Sequence, residues 1–584
     1  MKGKICLRDF GSHVLKFVLI VLTVSAVFGC TVGKASADSI NYPSFSENSI
    51  IYQLLTDRFY DGDNSNNDQG AGEYIPGNLR YYQGGDWEGI IDKVSYISDL
   101  GATAIQISPP YRNEWRTGDG ASYHGYYVKD FYSPDPHFGT LEELREMVDR
   151  AALENIAVIL DAVPNHTADY LQSGDTAYHG QQPAPPFNNP DWYHHLGNIS
   201  DWDNETQVVY NDLFGLDDLA QEKPEVENEL NNVFKFWIEN THAAAYRVDA
   251  ARHVYRDQAN VDSYLGSFQS AVGVPAYGEV WKGDVGYVAT FQNWLWGCED
   301  FPLYFAVRDV FASDGSYTKL GDVLDRDNEY QNANRLVTFI SNHDVGRFLY
   351  FAGGNQDRLE LALSFLLTVR GVPKLYYGDE QGYSGGVDPA CREVMENWDE
   401  NRTLYQHIQR LCRIRMAYDA LREGGQYQLW EDEHVYAYSR MTPTEEVIVV
   451  LTNSGPQEKT IPLRAESQLA AGDVLVNLLN TSENVVVREE SGEKVITTSL
   501  GEREAKIYVK VNTVGDYPQP VNPPASGTPT PTTTTTPTII PITTTTAQPT
   551  TTPPAEAPWA WIGVGIAIVI VIAFVALILR GSPE

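Results

Sequence analysis

Short apolar runs recur along the first two thirds of the chain, and each of them ends in polar residues. Amphipathic stretches separate them, and residues 141–155 show the clearest helical spacing of apolar positions. Continuously apolar strands that alternate with amphipathic helices indicate a parallel sheet that is buried on both faces. The apolar runs lie at residues 49–57, 102–109, 156–164, 243–249, 274–281, 336–344 and 374–380.

The acidic residues distinguish between the two folds that fit this pattern, a doubly wound open sheet and a (β/α)8 barrel. Asp161, Asp249, Glu279 and Asp344 all follow at the carboxyl ends of their apolar runs. In a barrel these ends converge on one mouth, where barrel active sites lie, whereas an open sheet spreads them along an edge. We therefore predict a (β/α)8 TIM barrel over about residues 45–423.

The pattern changes after about residue 424. Short runs of alternating apolar and polar residues follow at 434–441, 445–454 and 504–512. Alternation of this kind is typical of antiparallel strands with one buried face. We predict a small C-terminal antiparallel β-sandwich over residues 424–512.

The N-terminal residues resemble a secretory signal. A basic start precedes an apolar stretch at residues 17–30, and small residues follow at 35–37. This order predicts a signal peptide over residues 1–37, with Asp38 as the first mature residue. Lipidation of Cys30 is the alternative interpretation of the same stretch.

The C-terminal residues predict a membrane anchor. Residues 559–579 carry no charge, and 21 helical residues span roughly 31 Å, about one bilayer core. Residues 518–554 before them are mostly Thr and Pro, a composition typical of an extended stalk. We therefore expect the protein at the extracellular face of the cell membrane, held by a C-terminal transmembrane helix.

Composition limits the partners. The chain has 78 acidic and 42 basic residues and a formal net charge of −36. Such a chain is a poor ligand for nucleic acid, and none is expected as a partner. Cys298, Cys391 and Cys412 remain after the signal peptide, too few for a disulfide framework and without metal-binding spacing. A monomer is expected.

The candidate chemistry lies at the mouth of the predicted barrel. Arg247 and Asp249 are two residues apart on one strand, so their side chains share a face, and the arginine would keep the carboxylate ionised. With Glu279 and Asp344 the mouth holds three carboxylates. Glycoside hydrolysis requires one ionised and one protonated carboxyl group. No Ser/His/Asp set, Walker loop or dinucleotide fingerprint competes with this interpretation.

Four segments in this order resemble the signature regions of the α-amylase family of glycoside hydrolases. They are DAVPNH (161–166), YRVDAARHV (246–254), GEVW (278–281) and FISNHD (339–344). The resemblance covers about residues 45–510. It implies a (β/α)8 barrel with an inserted domain B at about residues 165–212, after the third strand.

The resemblance also implies roles for individual residues. Asp249 resembles the nucleophile, Glu279 the general acid and base, and Asp344 the third acid, which binds sugar hydroxyls. Phe214 stands where cyclodextrin glucanotransferases carry a central aromatic residue. Arg252 departs from the family, in which many members carry Lys on the acceptor side of the cleft. The implied sugar-binding residues are Tyr123, His166, Arg247, Arg252, His253, Trp281, His343, Asp388, Arg392 and Phe214.

Two calcium sites are implied in the same way. Oxygen donors from separated segments suit Ca²⁺. For the second site an EF-hand and a plain polar turn are the alternatives, although the EF-hand glycine and glutamate are missing. The first site would use Asn165, Asp218 and the carbonyl of His253, and the second Asp61, Asp63, Asn66, Asn67, the carbonyl of Gly84 and Asp86.

Together these features predict a retaining, endo-acting, calcium-dependent α-amylase. Its substrates would be the internal α-1,4 bonds of starch, glycogen and maltodextrins. A cyclodextrin glucanotransferase or other transglycosylating maltodextrin enzyme is the alternative within the family. A non-catalytic polysaccharide binder is the alternative of another class, and the complete set of three acids disfavours it.

Overall fold

The computed structural model describes residues 40–511, except residues 119, 173 and 258. The predicted signal peptide, stalk and transmembrane helix lie outside the described residues. Within residues 40–511, no helix is long and apolar enough to cross a membrane. The prediction of a membrane-anchored location at the extracellular face is therefore corrected, because the longest described helix, Pro224–Thr241, is amphipathic rather than apolar.

Eight parallel strands form a closed barrel in which successive strands are neighbours and the last strand pairs with the first. This confirms the predicted (β/α)8 fold. The strands are β1 (Ile51–Gln53), β2 (Ala104–Gln106), β3 (Ala157–Ala162), β4 (Ala245–Val248), β5 (Ala276–Gly278), β6 (Gly297–Glu299), β7 (Leu336–Phe339) and β8 (Val372–Tyr376).

The barrel interior is apolar in one layer and polar in the next. Residues two apart on a strand share a face, so most strands contribute to both layers. The apolar layer contains Ile51, Ala104, Ile159, Ala245, Tyr277, Val337 and Val372. The polar layer contains the buried side chains of Gln53, Gln106, Asp161, Arg247, Glu299 and Lys374. Lys374 Nζ donates to Glu299 Oε1 at 2.5 Å, so these opposite charges are paired inside the barrel.

Strand β6 was not predicted from the sequence. Its three residues, Gly-Cys-Glu, form neither an apolar run nor an alternating one. A Cβ atom at Gly297 would lie 2.1 Å from the carbonyl oxygen of Arg335, so only glycine allows this close approach. The strand is therefore defined by backbone packing and not by hydrophobic pattern.

Helices surround the barrel and connect its strands. Helix Leu141–Leu153 illustrates their local signals, since Thr140 and Glu143 form a reciprocal capping box at its start. The α-helices are Thr56–Phe59, Trp87–Leu100, Leu141–Leu153, Glu205–Tyr210, Pro224–Thr241, Tyr264–Val272, Val285–Thr290, Phe301–Val307, Thr318–Leu324, Phe348–Phe351, Gln356–Leu366, Thr403–Ala417 and Asp419–Arg422. Short 3-10 turns lie at Pro190–Trp192, Phe291–Asn293, Asp327–Glu329, Ala333–Arg335 and Asp379–Gln381, and a π-turn at Arg308–Ala312.

Two excursions rise from the carboxyl ends of the barrel strands. After β2 the chain forms small antiparallel pairs, Tyr111–Asn113 with Val128–Pro134 and Arg116–Thr117 with Gly120–Ala121. After β3 it forms an irregular excursion with the one α-helix Glu205–Tyr210 in its described residues. An isolated bridge between His166 and Asp218 joins the two ends of this second excursion.

Two antiparallel sheets follow the barrel, in agreement with the predicted β-sandwich architecture. One has six strands and the other three. Their interior is a separate apolar cluster that includes Val435, Ile448 and Ile496. The strands are Gly425–Glu431, Val435–Met441, Glu446–Thr452, Gln457–Pro462, Val474–Asn477, Asn480–Val486, Arg488–Glu490, Glu493–Leu500 and Ala505–Lys510.

Candidate active site

Arg247 is the centre of the charged cluster at the barrel mouth. It is fully buried, and its Nη1 donates to Asp249 Oδ1 at 2.8 Å and to Asp161 Oδ1 at 3.0 Å. Its Nη2 lies 3.0 Å from Glu279 Oε2. One guanidinium therefore holds Asp249 and Glu279 next to each other, as a reaction that uses both carboxyl groups on one sugar requires.

Asp249 and Glu279 lie at the ends of β4 and β5. Burial raises the pKa of Asp249 to about 6, and the nearby Arg247 charge limits the increase. Burial also raises the pKa of Glu279 well above its usual value, opposed by Arg247 and reinforced by the charges of Asp249 and Asp344. Burial and the neighbouring carboxylates thus favour the protonated form of Glu279, whereas the hydrogen bond from Arg247 favours the ionised form of Asp249.

Asp344 follows β7, and its carboxylate contacts Arg392 and His343. Arg392 Nη2 donates to its Oδ1 at 3.0 Å, and His343 Nε2 lies 3.0 Å from its Oδ2. Burial opposes ionisation, but His343, Arg392 and Arg247 outweigh it and hold the pKa of Asp344 well below its usual range. Asp344 is therefore a fixed negative charge beside Glu279, and this charge helps to retain the proton on Glu279.

Further predicted residues support this carboxylate. Arg392 Nη1 lies 3.0 Å from Asp388 Oδ1 and donates to the Tyr123 hydroxyl at 3.1 Å. Its Nε donates to the carbonyl of His343 at 2.8 Å. The structure thus brings Tyr123, His343, Asp388 and Arg392 into one group around Asp344.

The buried histidines of the site are neutral in the ordinary pH range. Burial lowers the pKa of His166 to about 4 and that of His253 to about 3. His166 Nε2 lies 4.0 Å from Asp249 Oδ2. A neutral imidazole there can exchange hydrogen bonds with a sugar hydroxyl without adding charge beside the carboxylates.

These residues face an open cleft of about 690 Å³. Of the predicted sugar-binding residues, Tyr123, Arg247 and His343 are not among its walls, since all three are buried. A second cavity, of about 460 Å³, shares Tyr127, Phe214 and Leu216 with the first, so the groove continues beyond the acids. The predicted residues that line the cleft are His166, Phe214, Asp249, Arg252, His253, Glu279, Trp281, Asp344, Asp388 and Arg392.

Exposed aromatic rings border the cleft. Phe214 is 82% exposed and Trp281 is 41% exposed, and both line the cleft. Trp281 is backed by a stacked ring, Phe301, at 5.0 Å. The ring of Phe214 lies 5.3 Å from that of Trp202, which also lines the cleft. Flat, exposed rings of this kind suit the apolar faces of sugars.

Sequence reasoning missed several residues of the site. Trp202 lies in the excursion after β3, where no periodic pattern identifies an exposed ring. Tyr126 donates to Asp161 at 2.9 Å and stacks on His343 at 5.3 Å. Gln53 Nε2 lies 2.9 Å from His343 Nδ1. The alternation of side chains along a strand could have identified Gln53, because it puts Gln53 and Asp161 on the interior face of their strands.

Arg252 is turned toward the wall of the cleft. Its Nη2 donates to the carbonyl of Trp202 at 2.8 Å and lies 3.4 Å from Glu205 Oε1. Both contacts use the same nitrogen, so one guanidinium group joins the Trp202 carbonyl to Glu205.

The first candidate calcium site contains two unpaired oxygens. Asn165 Oδ1 and Asp218 Oδ1 are both buried and have no hydrogen-bond partner within the described part of the chain. Asp218 Oδ2 lies 2.6 Å from His194 Nδ1. His253 Nδ1 lies 3.0 Å from the carbonyl of Val208, which holds the segment after β4 against the same excursion. Two orphaned oxygens at one place fit a hard cation.

The second candidate site is organised around Asp86. Its carboxylate accepts the backbone N–H of Asp63 at 2.8 Å and the side-chain amide of Asn66 at 3.2 Å. Asn67 Nδ2 donates to Asp61 Oδ2 at 2.7 Å, and Oδ1 of both asparagines is buried and unpaired within residues 40–511.

Gly84 completes this loop, since it has a φ of +100° and a Cβ atom there would lie 2.7 Å from the Asn67 amide nitrogen. Hydrogen bonds therefore link Asp86 to Asp63 and Asn66, and Asn67 to Asp61. In the described residues, however, no three His, Cys, Asp or Glu side chains cluster as a metal site, and the carboxylate of Asp63 is bonded to Ser65.

The sequence of the chain is similar to known enzymes. Residues 53–390, more than half of the chain, match the family model described as the alpha amylase catalytic domain. A beta/alpha-amylase of Paenibacillus polymyxa is 38% identical over 79% of this chain, which spans only 38% of that longer protein. A cyclomaltodextrin glucanotransferase of Geobacillus stearothermophilus is 33% identical over 84% of this chain and 72% of its own length.

Solved structures give the same two kinds of relative. An Anoxybacillus α-amylase matches with a TM-score of 0.69 and 33% identity over 80% of this chain and 98% of its own. CldA, described as a cyclomaltodextrin glucanotransferase with a three-domain ABC distribution, matches with a TM-score of 0.71 and 31% identity over 80% and 99%. The comparisons thus include hydrolases and transferases at similar distances.

Proposed function

Because this chain belongs to the α-amylase family of glycoside hydrolases, we propose that it is a retaining enzyme that cleaves internal α-1,4 bonds of starch, glycogen and maltodextrins. The observation that carries this proposal is the pairing of Asp249 and Glu279 with Arg247, with Asp344 on the wall of the same open groove. The continuation of the groove into a second cavity supports internal cleavage, since a long chain can lie across the acids.

The proposed mechanism assigns opposite protonation states to Asp249 and Glu279. The carboxylate of Asp249 attacks the anomeric carbon while Glu279 donates its proton to the departing glycosidic oxygen. The resulting covalent glycosyl ester is then attacked by water, from which Glu279 takes a proton. The two inversions retain the α-configuration. Asp344 binds the hydroxyls of the sugar and favours its distortion toward the oxocarbenium-like transition state.

Transfer to a sugar instead of water is the second candidate function. The exposed Phe214 at the cleft favours it, because a stacked acceptor sugar excludes water from the glycosyl ester. The small number of domains does not argue against transfer, since CldA is described as a three-domain transferase. Analysis of the early products from soluble starch tests the assignment. We expect mainly linear maltooligosaccharides, and predominantly cyclic glucans would make transferase the main activity.

Replacing Phe214 with glycine should reduce transfer more than hydrolysis. Phe214 has a φ of +54°, a conformation that glycine adopts freely, so the change removes the ring without adding strain. We expect the ratio of transfer to hydrolysis to fall about fivefold at high maltooligosaccharide concentration. Val261→Ala, at another exposed apolar residue, is the control and should leave this ratio unchanged. An unchanged ratio in Phe214→Gly would remove the proposed role of the ring.

Calcium dependence is part of the proposal. Asn165, Asp218 and the His253 carbonyl would hold one ion, and Asp61, Asp63, Asn66, Asn67, the Gly84 carbonyl and Asp86 the other. Bound calcium would supply a positive charge that holds oxygens from separate segments together. The unpaired, buried oxygens of Asn165, Asp218, Asn66 and Asn67 support this assignment.

Removal of calcium should lower the melting temperature. A ligand that binds only the native state stabilises it, by about 2.7 kcal/mol per site at a free concentration one hundred times Kd. We therefore expect chelator to lower the melting temperature by several degrees, and excess calcium but not magnesium to restore it. An unchanged melting curve, together with the absence of copurified metal, would disprove both sites.

A further inference from the structure

Glu205 connects three segments of the cleft wall. Its Oε2 accepts hydrogen bonds from Arg256 Nη2 and, at 2.6 Å, from the Tyr287 hydroxyl. Its Oε1 lies 3.4 Å from Arg252 Nη2. These partners belong to the segment after β4 and to helix Val285–Thr290 after β5, whereas Glu205 itself begins the helix of the excursion after β3.

The connected segments carry the residues that form the wall. Arg252 donates to the carbonyl of Trp202, three residues before Glu205. Arg256 Nη1 donates to the carbonyl of Arg252 at 2.5 Å, and its Nη2 donates to the Tyr287 hydroxyl at 2.8 Å. Trp202 and Arg252 line the cleft, but Glu205 does not.

The charge balance of this wall depends on Glu205. Arg252 and Arg256 are 7% and 6% exposed, and in the described residues Glu205 is the one carboxylate that forms an ion pair with either of them. Removal of its charge would leave two buried guanidinium groups near each other without an anion. Each guanidinium group would then turn toward water or toward another hydrogen-bond acceptor. The Trp202 carbonyl would lose its fixed hydrogen-bond donor.

We propose that Glu205 is a positioning residue that sets the preference of the cleft for an acceptor sugar, acting through Arg252 and Trp202. This inference rests on the proposed retaining mechanism, in which water and a sugar compete for the glycosyl enzyme. Glu205 acts on that competition because Trp202 supplies an exposed ring and Arg252 a donor on the same wall. It does not touch Asp249 or Glu279, so the chemical step itself is affected little.

The test compares Glu205→Gln with wild type on a 4-nitrophenyl α-maltotrioside donor, with maltose as acceptor. Glutamine keeps the shape and one acceptor oxygen but removes the charge. We expect the KM for maltose in transfer to rise about tenfold, while kcat for release of 4-nitrophenol in the absence of maltose falls less than twofold. A purely structural role would instead impair transfer to maltose and release of 4-nitrophenol to the same extent.

Asp314→Asn is the matched control. Asp314 also accepts hydrogen bonds from two arginines, Arg358 and Arg503, and it lies outside the cleft walls. Its φ of +52° is a conformation that asparagine tolerates. This variant should leave the KM for maltose unchanged, and a rise like that of Glu205→Gln would overturn the inference, since it would show a general effect of lost ion pairs.

A second variant keeps the inference testable if Glu205→Gln does not fold. Tyr287→Phe removes the hydroxyl that donates to Glu205 but keeps the ring near Arg252 and Arg256. We expect a two- to threefold rise in the KM for maltose. An unchanged KM in the folded variants, or wild-type enzyme that hydrolyses starch without saturable transfer to maltose, overturns the role of Glu205. Failure of wild type to cleave any α-glucan instead overturns the proposed function.

Discussion

Asparagine in place of Asp249 lowers kcat on soluble starch by about 10⁴-fold or more, the largest effect expected of any single change in this chain. The amide is nearly the same shape as the carboxylate, but it carries no negative charge and forms no glycosyl ester. Arg247 keeps its contact with Asp161 at 3.0 Å, so the guanidinium is not left without a partner. The variant should therefore fold and still bind oligosaccharide.

Three measurements define this result. Isothermal titration with maltoheptaose should give a Kd within about threefold of wild type, and the melting temperature should change by only a few degrees. An activated donor, α-maltosyl fluoride, should not restore turnover, because a better leaving group does not replace the nucleophile. Asp309→Asn, at a half-buried aspartate that contacts Lys319 away from the cleft walls, is the control with full activity. A loss of less than tenfold in purified Asp249→Asn would disprove the assignment of the nucleophile.

The barrel could be predicted because strands that are buried on both faces appear in the sequence as apolar runs. Seven of the eight strands overlap apolar runs of the sequence, although several of them also place one polar side chain inside the barrel. The remaining strand, β6 (Gly297–Glu299), is short and ends in a glutamate that pairs with Lys374 inside the barrel. Nothing local in the sequence indicates this pairing, since the two residues are 75 positions apart.

The site was predictable to the extent that the period of two applies. Arg247 and Asp249 share a face for that reason, and their 2.8 Å contact follows from it. Loop residues have no such rule, and Trp202 was therefore missed. The exposure of Phe214 and the contacts of Glu205 with Arg252, Arg256 and Tyr287 depend on how the excursion after β3 folds. Only the three-dimensional structure gives this.

The location of the protein was inferred from terminal composition alone, and that inference is the one that the structure contradicts. The length and hydrophobicity of a segment are properties of the sequence alone. The described residues contain no helix that is long and apolar enough to cross a membrane. The family prediction was confirmed, and it depended on several separated motifs that had to agree with one another, whereas the anchor depended on a single segment.

Glutamine in place of Glu279 is expected to separate the two carboxyl roles. Without a proton donor, the departing sugar oxygen leaves as a strongly basic alkoxide, so kcat on starch should fall by about 10³-fold or more. Asp249 remains in place, however, and still attacks a donor that needs no protonation. With α-maltosyl fluoride we expect the first step to proceed and the glycosyl enzyme to accumulate, visible by mass spectrometry of the intact protein. Added azide should then increase turnover, because it attacks the ester without a general base.

The pH dependence of kcat/KM gives the second, independent test of Glu279. In wild type, activity should fall as the pH decreases through about 6, where Asp249 becomes protonated, and again at high pH as Glu279 loses its proton. Glu279→Gln, assayed with the fluoride, should keep the acidic limb and lose the alkaline one. If both limbs persist in this variant, or if it hydrolyses starch within tenfold of wild type, Glu279 is not the acid, and the carboxyl group that responds to high pH must be sought elsewhere around Arg247.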